Sequence, residues 1–116
     1  MLEKRNFYIN GKWVSPSKPN DFEVINPSNE EPFAIISLGD TTDTNSAVEA
    51  AKKAFVKWKE TSKEERINLL QKLLKIYKKR FNELAEAQSM EMGAPIDYAI
   101  SAQTASGQSH LEDFIL

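Results

Sequence analysis

Few side chains in this 116-residue sequence could carry out nucleophilic or metal-based chemistry. His110 is the only histidine, and there is no cysteine. This excludes a two-histidine metal site, thiolate ligands, disulfides and a cysteine nucleophile within these residues. Ser62 and Ser106 have no histidine at the spacing of a hydrolase motif. We therefore predict no hydrolase triad, and we expect His110 to be a helix-surface or packing residue.

Adjacent acidic residues are the next candidates, because paired carboxylates can act as general acid and general base. They occur at Glu30-Glu31, Glu64-Glu65 and Glu112-Asp113. Neighbouring side chains diverge on a helix, so the carboxylates of one pair do not face a common substrate. We expect these pairs to lie on a solvated surface.

Glu91 is the one acid whose position is unusual. It lies in the stretch SMEMGAPID (residues 89–97), just before Gly93 and Pro95, which interrupt a helical pattern. A carboxylate at a helix C-terminus opposes the helix dipole. Two interpretations follow from the residues: a solvated surface acid, or a ligand for a cation.

Several ligand classes have no support in the sequence. The basic run Lys72–Arg80 is flanked by acidic residues and the net charge is −2, so we expect a solvated helix face and neither nucleic-acid nor membrane binding. No apolar run has the length of a signal peptide or a membrane span. The glycines are too far apart for a dinucleotide or phosphate loop: Gly11, Gly39, Gly93 and Gly107.

The elements that must position these residues fall into two parts. Asn10-Gly11 predicts a type I′ hairpin between strands at residues 7–9 and 13–14, because both turn residues need φ > 0. Two further strands are predicted at residues 22–25 and 32–38, the first ending at the turn pair Asn26-Pro27.

Amphipathic helices are predicted after the strands. The first spans about residues 43–59, with Thr41 or Thr42 as its N-cap and a Glu49–Lys53 surface pair. The second begins with a capping box at residues 62–65. The third spans about residues 82–92 with Gly93 after its end, and a fourth starts at Pro95 and continues past Leu111.

That fourth helix has no stop signal before the sequence ends at Leu116. A frayed natural C-terminus is one interpretation. We favour the other, that the chain is cut inside a helix and belongs to a longer protein. The residues alone thus indicate a soluble segment with strands and helices and no complete active site.

Three stretches, in a fixed order, resemble a known family. They are FYINGKW, VINPSNEEPFAIISLGDTTDTNSAVEAAKKAFVKW and KEERINLLQKLLKIYKKRFNELAEAQSMEMGAP. Together they are similar to the N-terminal part of the NAD(P)-dependent aldehyde dehydrogenase superfamily. The EMGAP form and the alanine-rich segment after it resemble a bacterial-type subgroup with broad aldehyde substrates.

The resemblance implies an α/β, aldehyde dehydrogenase-like fold. Residues 1–116 would supply only the N-terminal hairpin and strands (1–40) and three or four amphipathic helices (41–116) of the NAD-binding domain. The whole enzyme would oxidise an aldehyde to a carboxylic acid with NAD or NADP. Its catalytic cysteine, glutamate and asparagine would lie downstream, so this chain would carry no catalytic or cofactor-binding residue and would be inactive alone.

The same resemblance implies one site in this segment. Many family members bind a structural monovalent cation with a backbone carbonyl before the Asn-Pro pair and an acidic side chain before the glycine–proline elbow. The matching residues are Ile25, with Val24 beside it, and Glu91, where aspartate is also common. A cytoplasmic homodimer or homotetramer is implied for the full-length protein.

Two alternatives differ in class from this interpretation. The chain could be a complete small helical interaction module, with residues 82–116 as its partner surface. It could also be an inactive remnant of a dehydrogenase.

Overall fold

The computed structural model describes residues 1–116, and the chain forms two compact units. The first unit contains Met1–Ile25 and Glu30–Glu60, and the second contains Asn26–Asn29 and Thr61–Leu116. Strands precede helices along the chain, which confirms the predicted α/β class. None of the helices has the length and apolar character needed to cross a membrane.

Five short strands form two sheets. Their bounds are β1 Leu2–Lys4, β2 Phe7–Ile9, β3 Lys12–Val14, β4 Asp21–Asn26 and β5 Glu31–Ser37. The larger sheet has the order β1-β5-β4, with β1 parallel to β5 and Leu2 opposite Ala34. The sequence prediction missed β1, a three-residue segment with two charged residues and no alternating pattern. Arg5 follows this strand, and its Nε donates to both carboxylate oxygens of Asp21 at 3.0 Å.

The β2–β3 hairpin agrees with its prediction. Asn10 and Gly11 have φ of +53° and +73°, as a type I′ turn requires. Tyr8 lies opposite Trp13 across the hairpin, and their rings meet edge to face with centroids 5.2 Å apart. Both rings are largely exposed.

Helix α1 spans Thr41–Trp58, and its N-cap differs from the prediction. The cap is Asp40 rather than Thr41 or Thr42. The Asp40 carboxylate accepts from the backbone N–H groups of Thr42 (2.8 Å) and Asp43 (3.1 Å), and the Asp43 carboxylate accepts from the Asp40 N–H (3.0 Å). Asp40 is the N-cap because Asp43 completes a reciprocal capping box with it. The predicted Glu49–Lys53 pair is present, with a 2.8 Å ion pair.

Helices α2 and α3 span Lys63–Lys79 and Phe81–Met92, close to their predicted ranges. Ser62 and Glu65 form the predicted capping box of α2, in which the Glu65 carboxylate accepts from the Ser62 N–H at 2.7 Å. Gly93 ends α3 in the left-handed conformation, with φ +72°.

The fourth predicted helix is not uniform. It consists of α4 (Ile96–Tyr98), a π-helical segment (Ala99–Thr104) and α5 (Ala105–Ile115). Pro95 precedes α4 with ψ of 138°, so it lies at the cap and not in the first turn. A π-helical turn inserts one residue into the helix, and periodicity alone does not reveal such an insertion.

The fully buried part of the molecule is small. Apolar residues with little exposure are Ala34 in the first unit and Ala85 and Ala99 in the second. Many larger apolar side chains stay exposed, including Phe55 (58%) on α1. Each unit therefore has a thin core with unpartnered apolar surface.

Candidate functional site

The stretch that holds Glu91 forms a helix–elbow–helix in the second unit. Gly93 donates its N–H to the carbonyl of Ser89 at 2.9 Å, and the Ser89 hydroxyl donates to the carbonyl of Ala94 at 2.7 Å. The first bond satisfies a carbonyl in the last turn of α3, and the second joins the end of α3 to the residue that follows Gly93. Gly93 therefore ends α3 and an elbow follows it, as the sequence predicted.

A second stretch of the chain packs against this elbow. A Cβ added at Gly93 would lie 2.7 Å from Cγ of Pro27. The turn that carries Pro27 is held by two bonds to Asn26: its Oδ1 accepts from the Ser28 N–H at 2.9 Å, and its carbonyl accepts from the Asn29 N–H at 3.4 Å. Glycine is thus required at position 93 for two reasons, the positive φ and the proximity of Pro27.

The predicted cation ligands are placed as follows. Glu91 is exposed in the last turn of α3, which contains no basic residue. Ile25 lies in β4 and is 43% exposed. Ile25 belongs to the first unit and Glu91 to the second, so their pairing around a cation stays a prediction. No group of three or more histidine, cysteine, aspartate or glutamate side chains is arranged to hold a metal ion.

A buried polar network lies near the π-helical segment. Thr104 has no exposed surface, and its hydroxyl donates to Oε1 of Gln88 at 2.6 Å. The Tyr77 hydroxyl donates to the carbonyl of Thr104 at 2.8 Å. A Cβ added at Gly107 would collide with that hydroxyl, so glycine is needed for α5 to approach α2. Oε1 of Gln103 is buried and has no hydrogen-bond partner.

Sequence reasoning missed this network. Its members are far apart in the chain. In the sequence, each member has the pattern of an ordinary helix-surface or packing residue. The available signal was Gly107 inside a helical pattern, since an isolated glycine there often marks close packing. The network links α2, α3 and the π-helical segment, and it contains no pair of groups suited to proton transfer.

Three acids, two of them from the adjacent pairs, have structural partners. The bond from the Ser62 backbone N–H holds the pKa of Glu65 below its ordinary value. Lys78 Nζ lies 2.7 Å from Oε1 of Glu112, and this bond lowers the pKa of Glu112. The pKa of Asp40 is lowered first by the bond from the Asp43 backbone. Capping and ion pairing thus account for these acids, and His110 is exposed.

Comparison with known proteins decides the family. The sequence model described as the aldehyde dehydrogenase family matches residues 13–115. The chain belongs to this family. A 3-succinoylsemialdehyde-pyridine dehydrogenase from a Pseudomonas species is 40% identical over 111 residues, which are 95% of this chain and 23% of that protein.

Solved structures of family members have the same fold. An aldehyde dehydrogenase from Bartonella henselae superposes with a TM-score of 0.98 at 57% identity, over 99% of this chain and 24% of that one. An aldehyde dehydrogenase mutant from Pseudomonas syringae, solved with NAD+ and octanal, superposes with a TM-score of 0.91 at 37% identity, over 93% of this chain and 22% of that one. The chain spans about a quarter of the length of these relatives.

Proposed function

We propose that this chain is the N-terminal part of an enzyme that oxidises an aldehyde to a carboxylic acid, with NAD as the hydride acceptor. The observation that carries the proposal is the family match, which covers nearly all of the chain. NAD and an aldehyde are proposed because related structures were solved with NAD+, one of them together with octanal.

The residues of this chain do not themselves fit a dinucleotide. Its glycines are dispersed, and the ends of its longer helices are used for caps and packing. The chain also lacks the cysteine that a covalent aldehyde intermediate needs. We infer that cofactor binding and chemistry belong to residues outside 1–116, and that this segment is scaffold of the NAD-binding domain.

A cation role for Glu91 is part of the proposal. A carboxylate in the last turn of α3 faces the negative end of the helix dipole, and a bound K⁺ or Na⁺ would offset this cost. Thermal unfolding of the full-length protein and its Glu91→Ala variant, in potassium, sodium or a bulky organic cation, tests this role. The wild type should be stabilised by the small cations and the variant should not; equal responses would remove the proposal.

The deciding experiment for the function uses the full-length protein. We expect it to reduce NAD when aliphatic, aromatic or semialdehyde substrates are added, with NADP as the alternative cofactor. The control is the 116-residue chain, which should reduce neither NAD nor NADP. A well-folded full-length protein without turnover on any aldehyde and either cofactor would contradict the proposal and favour an inactive remnant.

Two finer features stay predictions of the same proposal. The full-length protein is expected to be a homodimer or homotetramer, and to reside in the cytoplasm. Light scattering of the purified protein and fractionation of the source cells measure these properties.

A further inference from the structure

The tip of the β2–β3 hairpin carries an asparagine–glycine peptide bond in an open position. Asn10 and Gly11 are both exposed, and both have positive φ, +53° and +73°. Apart from the neighbours of Gly11 in the chain, no atom would lie within 4 Å of a Cβ built on it. Because glycine has no side chain, nothing shields its backbone nitrogen from the side-chain amide of the residue before it.

That nitrogen lies outside the hydrogen-bond ladder of the hairpin. The pair next to the turn is Ile9 opposite Lys12, so the strands close through the residues that flank the turn. The N–H of Gly11 is therefore not held by a partner strand and faces water, where hydroxide can remove its proton.

We propose that Asn10 is a site of spontaneous deamidation, one of the reactions that make asparagine thermolabile. The Gly11 nitrogen, after losing its proton to hydroxide, attacks Cγ of Asn10, and the bond from Cγ to the side-chain nitrogen breaks. That side-chain nitrogen takes up a proton from water and leaves as ammonia, and a five-membered cyclic imide remains. Water then opens the imide at either carbonyl, which gives aspartate or isoaspartate. One water is consumed and one ammonia is released, and no oxidant or reductant takes part.

The closed turn restrains this reaction. Ring closure needs Cβ of Asn10 and the Gly11 nitrogen on the same side of the Cα–C bond, which places ψ of Asn10 far from the value of about +30° in a type I′ turn. The hairpin must therefore open locally before the nitrogen reaches Cγ.

Few contacts keep the hairpin closed. Strands β2 and β3 have three residues each and form a two-stranded sheet of their own. A two-stranded hairpin is at best marginally stable by itself. The rings of Tyr8 and Trp13 meet across it, but 64% and 70% of these side chains are exposed. Opening the hairpin therefore requires much less free energy than unfolding the whole first unit.

Two other asparagines have protection that Asn10 lacks. Asn45 precedes Ser46 and is also exposed, but it lies inside α1, where helical hydrogen bonds hold the backbone N–H groups and fix ψ. Asn26 precedes Pro27, whose ring nitrogen carries no proton. Asn45 thus serves as an internal comparison for the effect of the hairpin.

The two products differ in their effect on the fold. Aspartate leaves the main chain unchanged, and Asp-Gly also suits a type I′ turn, so the hairpin persists. Isoaspartate routes the main chain through Cβ and Cγ and adds a methylene to it. The pairing of Ile9 with Lys12 and of Tyr8 with Trp13 then loses its register.

Peptide mapping of the full-length protein tests the proposal. The protein is incubated in warm, mildly alkaline buffer and digested at intervals with trypsin, which cuts after Arg5 and Lys12. Mass spectrometry measures the mass gained when the amide becomes a carboxylate, and chromatography separates the isoaspartate peptide. A sample digested before incubation corrects for reaction during digestion. Asn10→Gly is the matched control, because Gly-Gly also suits the turn and carries no amide.

We expect Asn10 to deamidate at least about tenfold faster than Asn45 in the native protein, and more slowly than in protein unfolded in urea. Trp13→Ala removes the ring contact across the hairpin and should raise the rate at Asn10 by about two- to fivefold. Tyr8→Ala provides a second probe if Trp13→Ala impairs folding.

Two results would overturn the inference. One is equal rates at Asn10 and Asn45 in the native protein, when Asn10 reacts readily in urea. The other is a rate at Asn10 that neither Trp13→Ala nor Tyr8→Ala changes, which would show that opening of the hairpin does not control the reaction. Neither measurement depends on aldehyde oxidation, so the outcome leaves the proposed function to its own test.

Discussion

Gly93 is the residue on which the elbow depends. Its φ of +72° is unfavourable for residues with a Cβ, and Pro27 Cγ occupies the space that a Cβ would need. Gly93→Ala should therefore lower the free energy of unfolding of the full-length protein by about 2 kcal/mol or more. Urea unfolding measures this loss.

Two further variants separate the causes. Gly93→Asn should recover part of the backbone cost, because asparagine tolerates the left-handed region, but it keeps the collision. Combining Gly93→Ala with Pro27→Ala should recover part of the steric cost. Additive effects of Pro27→Ala and Gly93→Ala would show that the contact does not matter.

Glu112 gives a prediction of pH dependence at the same scale. The bond from Lys78 is the main cause that lowers its folded-state pKa below the ordinary value of 4.5. The unfolded state then binds the proton more tightly, so this contribution to stability is complete above that value and is lost as pH falls through the lower folded value.

We expect the wild type to lose more stability than Glu112→Gln on acidification from neutral pH through this window. Urea midpoints at a series of pH values measure the difference. The control is Lys78→Met, which should remove most of the dependence on Glu112. Identical pH profiles for the wild type and Glu112→Gln would contradict the prediction.

At the scale of elements, the cap of α1 is the clearest test. Asp40→Ala removes the acceptor for two backbone N–H groups and should cost about 1 kcal/mol. Thr41→Ala and Thr42→Ala are the matched controls, because neither hydroxyl caps the helix, and each should change stability little. Chemical unfolding of the three variants measures the ranking, and a larger loss at either threonine would refute the Asp40 cap.

Tyr77 couples α2 to the π-helical segment and to α5. Tyr77→Phe removes the bond to the Thr104 carbonyl and should cost about 1–2 kcal/mol. Gly107→Ala should be more harmful in the wild type than in Tyr77→Phe, where the colliding hydroxyl is absent. A double-mutant cycle in urea measures this coupling, and zero coupling energy would show that the close approach is not limiting.

Local rules accounted for elements whose cause is local. Asn10-Gly11 specifies its hairpin and Ser62 with Glu65 specifies its helix start, because each signal lies within a few residues. The N-cap of α1 was assigned to Thr41 or Thr42 instead of Asp40 because all three adjacent residues are of types that can cap a helix. Strand β1 was missed because it pairs with β5, which is far away in the sequence. The π-helical segment was missed because periodicity does not reveal a one-residue insertion.

The candidate site was predictable only in part. The elbow at Gly93 followed from glycine and proline positions, whereas its contact with Pro27 did not, since no local pattern links the two. The assignment of Ile25 and Glu91 to a cation came from the family resemblance and stays a prediction.

For the whole molecule, exposed apolar surface is the main feature. About half of each side chain is exposed at Phe55, Val56 and Trp58 on α1 and at Leu69, Leu73 and Ile76 on α2. Such surface favours association or loose packing. We expect the 116-residue chain alone to unfold over a broad thermal range, to bind the dye ANS, and to show no NAD- or NADP-linked turnover. The full-length protein is the control, and a sharp cooperative transition of the monomeric 116-residue chain would contradict this.

The composition of the second unit affects the order in which it can fold. It includes Asn26–Asn29, which are synthesised well before the helices of residues 61–116. Pro27 meets Gly93 only after a long loop has closed, and such closure has an entropic cost that must be met before the contact stabilises anything. During synthesis on the ribosome, Asn26–Asn29 therefore wait for the elbow at Gly93, and their contact with it forms late.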